Sequence, residues 1–173
     1  NEVHGAEISY RVTPLNFSGE IAVNSVIVKN TKINNRFNTE TENEAFTDNI
    51  YTVKQLIPTT GQHAAVSVAH SVKGGNYTVT DYNTADRYTY GVNFTLSKGE
   101  TAEVCKYAAF AGSIDDIEDM TGFTATLAKE NREKGYSFQE RNRKESCRKT
   151  CSKENRCKSS RKENNKENNK EDN

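Results

Sequence analysis

Apolar residues recur at every second position through most of the chain. In YTYGVNFTL, Tyr88, Tyr90, Val92, Phe94 and Leu96 fall on one side of an extended backbone, with polar or small residues between them. Successive side chains of a strand point to opposite faces, so this pattern asks for a sheet with one buried face. EISYRV repeats it with Ile8, Tyr10 and Val12, and IAVNSVIV with Ile21, Val23 and Ile27, while Val26 and Val28 place apolar groups on its other face. QHAAVSVAHSV aligns Ala64, Val66, Val68, His70 and Val72 opposite small residues, and IYTVKQLI, YTVTDY and AEVCKYAAF add three more extended segments. Pro14, Gly19, Pro58, GGN and SKGE punctuate the series. GGN is the strongest turn signal, and SKGE is a short hairpin connection. Strands recurring roughly every ten residues with turns between them predict an all-β chain, a partial antiparallel β-sandwich. One short helix is expected from about Gly122 to Gly135, with Phe123, Leu127 and Ala128 on one side. The polar stretch Asn30 to Asn49 reads as an extended loop or irregular hairpin crossing the surface.

The periodicity stops abruptly. From Asn131 onward there is no Val, Leu or Ile, and the only aromatics are Tyr136 and Phe138. Such a segment buries too little apolar surface to offset the entropy of ordering it. Three regions are therefore expected: a partial sandwich over residues 1–128, the start of a linker helix over 129–138, and a disordered charged tail over 139–173. The formal net charge of zero conceals an acidic body and a basic end, since 15 of the 24 Lys and Arg residues lie after residue 128. The tail interleaves Glu with its Lys and Arg and offers almost no aromatic for base stacking, so no nucleic-acid partner is expected. Nothing resembles a membrane span or a signal peptide, and the opening on Asn1 fits a truncated longer protein.

Cys147, Cys151 and Cys157 invite a metal reading, but their spacing misses the CxxC pairing, no histidine is near, and Cys105 would have to complete four ligands from a strand. With Cys105 alone in the body there is no disulfide framework, and a cytoplasmic location is the simpler expectation. The Asn16, Asn76 and Asn93 triplets are of the kind that arise by chance in a chain rich in Asn and Thr.

Groups for catalysis do not converge in the sequence. His4, His63 and His70 form no HExxH, and His63 and His70, seven apart, face opposite sides of an unbroken strand. His70 reads as a satisfied core or interface histidine. Asp115, Asp116, Glu118 and Asp119 lack the spaced acceptors and glycine of a calcium loop and read as solvated acidic cover before a helix. GxSxG, GxxxxGK and GxGxxG are all missing. The site expectation is accordingly no catalytic, cofactor-binding or metal residue and no cofactor. Tyr88 and Tyr90 on their strand serve cross-strand pairing or, alternatively, a sugar-stacking platform.

Two ordered segments, ISYRVTPLNFSGEIAVNS and LSKGETAEVCKYAAFAGSIDD, resemble the N-terminal domain of glycoside hydrolase family 65, the maltose, trehalose and kojibiose phosphorylase group. The resemblance covers roughly Ile8 to Phe138. It implies a parent enzyme with an N-terminal sandwich, a helical linker, an α/α six-fold barrel holding the active site, and a small C-terminal sheet domain. Its implied chemistry is inverting phosphorolysis of an α-linked disaccharide, with a barrel Glu as general acid. No residue here matches that acid or the barrel's phosphate-binding and sugar-binding positions. The chain is then a non-catalytic sandwich piece; the alternative is a free-standing carbohydrate-binding or adhesive module. Implied partners are the parent's barrel domain, a second copy in a homodimer of the full-length protein, and, for the parent, disaccharide and inorganic phosphate. By the same resemblance the Asn30 to Asn49 segment is either a loop lent toward the active-site entrance or an ordinary surface loop. Part of the family's sandwich is missing from the chain, which leaves strand edges open and predicts poor folding or association of an isolated copy. After KGYSF the family continues in an amphipathic helix, whereas QERNRKESCRKTC drops every apolar position, as a frameshift from about Gln139 would produce.

Overall fold

The computed structural model describes residues 4–33 and 37–135, and among these the alternating segments form strands of two main sheets, joined by three further strands from the Asn30 to Asn49 stretch. In chain order these are β1 (Gly5–Val12), β2 (Gly19–Val28), β3 (Lys32–Ile33), β4 (Phe37–Asn38), β5 (Glu40–Thr47), β6 (Ile50–Ile57), β7 (Gln62–Lys73), β8 (Asn76–Asn83), β9 (Arg87–Leu96) and β10 (Ala102–Gly112). A 3₁₀ turn at Ser113–Asp115 and helix α1 (Met120–Lys134) follow. One sheet has the order β1-β10-β7-β6-β5 and the other β2-β9-β8, while β3 and β4 make a two-stranded ribbon. The pairing is antiparallel throughout.

Side-chain alternation decides which face of each strand is inside. On β9, Tyr88, Val92, Phe94 and Leu96 are buried and meet two groups from the larger sheet. Tyr51, Val53, Val68 and Ala108 surround Tyr88 at one end of the sandwich. Ala102 and Val104, with the half-buried Val12 and Val72, pack on Val92, Phe94 and Leu96 at the other. Apolar burial at about 25 cal/mol per Å2 makes these facing rows the principal source of stability.

The outer face of the larger sheet is covered differently. Ala65, Ser67, Ala69, Ala109 and Ala111 are small and buried, and α1 crosses there, burying Thr124 and Ala128. A buried hydroxyl chain joins the two layers: Thr52 Oγ1 lies 2.7 Å from Ser67 Oγ, which lies 2.8 Å from Thr124 Oγ1. The compact unit reaches to Glu133.

Three connections differ from their sequence signals. GGN does not close a hairpin: β7 pairs with β6 and β10, while β8 pairs with β9. SKGE likewise passes from β9 in one sheet to β10 in the other. A turn signal records that the chain reverses, whereas the partner of each strand edge is decided by which faces must be buried together. Gly74 and Gly75 have φ of +79° and +64°, and an added Cβ would strike the Thr101 carbonyl and the Leu96 side chain respectively, so this crossing requires glycine. The third difference is in Asn30 to Asn49: the β3–β4 ribbon is the irregular hairpin expected there, but an edge strand, β5, follows it. Asp48 and Asn49, with φ of 54° and 59°, form the two-residue turn that pairs β5 with β6.

Candidate functional site

The edge strand β5 carries a carboxylate, Glu44, where an inward-facing row would otherwise be apolar. Glu44 pairs in register with Val53, and Phe46 with Tyr51, so both side chains point into the gap between the sheets. Across that gap, β8 and β9 present Asp81, Asn83 and Tyr88. Together these residues enclose an open cavity of about 230 Å3.

Lys29, the residue after β2, supplies a buried charge behind the cavity. Its side chain is 1% exposed, and Nζ donates to Glu44 Oε1 at 2.7 Å and to Asn83 Oδ1 at 2.8 Å. Glu44 Oε2 accepts from Asn83 Nδ2 at 2.8 Å and from the Tyr51 hydroxyl at 3.1 Å. Burial alone would raise the Glu44 pKa, but the bonds from Lys29, Asn83 and Tyr51 outweigh it and hold the carboxyl below its usual range. Tyr51 and Tyr88 stack with ring centroids 4.0 Å apart, and Tyr88 donates to Asp81 Oδ1 at 3.1 Å. Burial, reinforced by Glu44 and Asp81 respectively, pushes both phenols well above their ordinary pKa, so both remain donors.

The arrangement is a hydrogen-bonded polar recess with one aromatic ring left accessible, because Phe46 is 53% exposed. It can bind; it has no nucleophile activated by a base. Signals for it were weak in the sequence. Tyr88 was evident from its alternation, but Lys29, Glu44 and Asn83 lie in polar runs and converge only through the pairing of β5 with β6 and β8 with β9.

The residues singled out by sequence are dispersed. His70 faces the interior, with Nε2 2.9 Å from Ser25 Oγ and its ring stacked on Tyr90 at 4.0 Å. Burial, with the Lys106 charge adding to it, lowers its pKa to about 3. His63 is on the opposite face of β7, with Nδ1 2.8 Å from Glu42. His4 packs edge-on against Phe123 and lies 3.9 Å from Asp115. Asp119 caps α1, its Oδ1 accepting from Gly122 N and the Thr121 hydroxyl, both at 2.9 Å, and these bonds depress its pKa. Cys105 is buried, and burial raises its pKa, so its thiol stays protonated. Among the described residues no group of three or more His, Cys, Asp or Glu side chains is arranged to hold a metal ion. Cys147, Cys151 and Cys157 and the expected frameshift point at Gln139 lie outside the described residues. No described helix is long and apolar enough to cross a membrane.

Comparison with known proteins supplies the wider context. The family model described as "Glycosyl hydrolase family 65, N-terminal domain" matches residues 1–149. No curated protein matches the chain. Among solved structures, "Putative kojibiose phosphorylase from human microbiome" superposes with a TM-score of 0.64 at 11% sequence identity, over 79% of this chain and 18% of its own length. At that identity the likeness is one of fold, and the chain spans less than a fifth of that protein.

Proposed function

Because the chain belongs to the glycosyl hydrolase family 65 N-terminal domain family, we propose that it is a non-catalytic sandwich unit of an enzyme that cleaves an α-glucosidic disaccharide by inverting phosphorolysis. The observation that carries this reading is the family match over residues 1–149. Inverting displacement needs a general acid positioned opposite an incoming nucleophile, with room for that nucleophile between them. In the recess, Glu44 is held ionised by Lys29, Asn83 and Tyr51, which is the wrong protonation state for an acid. The sandwich therefore acts through what it packs against: the parent's barrel domain and, in the full-length protein, a second copy.

The test is direct. The purified chain, incubated with inorganic phosphate and maltose, trehalose or kojibiose, is expected to release no glucose 1-phosphate. Turnover that copurifies with the chain and is lost in an Glu44→Gln variant would overturn the assignment.

A further inference from the structure

The recess between β5, β8 and β9 has hydrogen-bonding capacity that its internal network does not use. Asn83 Nδ2 carries two hydrogens, and Glu44 takes one of them. Asp81 accepts the Tyr88 hydroxyl on one oxygen, and an ionised carboxylate offers about four lone-pair sites. A donor and an acceptor therefore remain side by side at the mouth, two residues apart on the inward face of β8. Phe46 adds an apolar ring beside them, its centroid 6.3 Å from that of Tyr88 and tilted 45° to it.

We propose that this recess is a binding site for a single neutral pyranose ring, such as the end unit of an oligosaccharide. A pyranose presents adjacent hydroxyls, each able to donate and accept, along an edge, and an apolar C–H face; the first matches Asp81 and Asn83, the second Phe46. Size supports one ring only. At about 230 Å3 the recess falls below the roughly 300–1,000 Å3 of pockets that enclose drug-sized ligands. Charge supports a neutral ligand. Buried Lys29 is ion-paired with Glu44, and Asp81 adds a second carboxylate at the mouth, which disfavours sugar phosphates. The Tyr51–Tyr88 stack and the Lys29–Glu44 ion pair hold the walls in place, which lowers the ordering cost of binding. Binding here is independent of phosphorolysis and would accompany it or exist without it.

Titration of the full 173-residue chain with maltose, followed by calorimetry or NMR, tests the assignment. Saturable binding with a Kd on the order of 1–10 mM is expected for a shallow one-ring site. Glucose 1-phosphate should bind more weakly than glucose. Phe46→Ala removes an exposed ring and leaves the core intact, and it should weaken maltose binding about tenfold or more with an unchanged melting curve. Asp81→Asn should do the same, whereas Tyr82→Ser, on the outward face of β8, should leave binding unchanged. Failure of maltose and glucose to bind, binding that survives Phe46→Ala, or binding of tetramethylammonium in place of sugar would each overturn it.

Discussion

His70 stays neutral because burial, and then the neighbouring Lys106 charge, both disfavour its cation. The ring is stacked between sheets on Tyr90, receives or donates one bond with Ser25, and has Lys106 beside it in register on β10. Lys106 itself donates to the Val26 carbonyl at 3.2 Å, and burial lowers its pKa. A protonated imidazole would add a second cation to this buried neighbourhood. The folded pKa of about 3 lies below the ordinary value of 6.5, so below pH 6.5 the unfolded chain binds a proton that the folded chain does not. The histidine's contribution is complete above pH 6.5 and is lost progressively as pH falls toward 3. Urea midpoints should therefore begin to fall below pH 6.5, before carboxylates titrate in the unfolded chain near 4.5. His70→Gln keeps a polar partner for Ser25 and should flatten the curve between pH 6.5 and 4.5; a wild-type curve already flat there would refute this role. His70 was legible in the sequence because it interrupts an alternating apolar row. Lys29 was not, since nothing in VIVKN marks a lysine whose partners lie 15 and 54 residues away.

Elements were more legible than their partnerships. The strands, the helix near Gly122 to Gly135 and the outward placement of His63 all follow from period, length and turn residues. Helix α1 starts two residues earlier, where Asp119 caps it. What the local pattern lacked was information on pairing: GGN and SKGE look the same whether the next strand returns to the same sheet or crosses to the other. The missed strand β5 has the composition of a loop, ETENEAFT, and its signal lay instead in the Asp48-Asn49 turn. The small residues opposite Val66 and Val68 acquire their reason at this scale. They let α1 approach until Ser67 and Thr124 share a hydrogen bond, so volume on that face is limited. Ala109, fully buried and in register with Ser67, should not tolerate enlargement. Ala109→Leu is expected to cost about 1–3 kcal/mol through overpacking, read as a lower denaturant midpoint at constant slope. An unchanged midpoint would mean that the helix does not press on the sheet there.

Among the described residues the two main sheets have four edges, β1, β5, β2 and β8, and they are not equally protected. On β5, Glu40, Glu42 and Glu44 and a register irregularity between Thr41 and Asn43 blunt the larger sheet's edge. On the other side, β2 runs for ten residues paired only with β9, and its register is unbroken from Gly19 to Val28. Next to it, Ile8 and Tyr10 of β1 are 58% and 53% exposed, and Val28 is 61% exposed. An open groove of about 460 Å3 runs between β1 and β2, lined by Ile8, Tyr10, Val26 and Val104. Apolar side chains beside free backbone donors and acceptors make a template for strand addition, so association should proceed through β2 and not through β5. The sedimentation coefficient of the isolated chain should rise with concentration. Val26→Lys places a charge on the β2 surface at a position already 38% exposed, and should return the chain to a concentration-independent monomer. Ala45→Lys on β5 should leave the association unchanged. If both variants associate as the parent chain does, the open β2 side is not the contact; if neither the chain nor its variants associate, the unpaired edge is shielded in solution and the sandwich is self-sufficient.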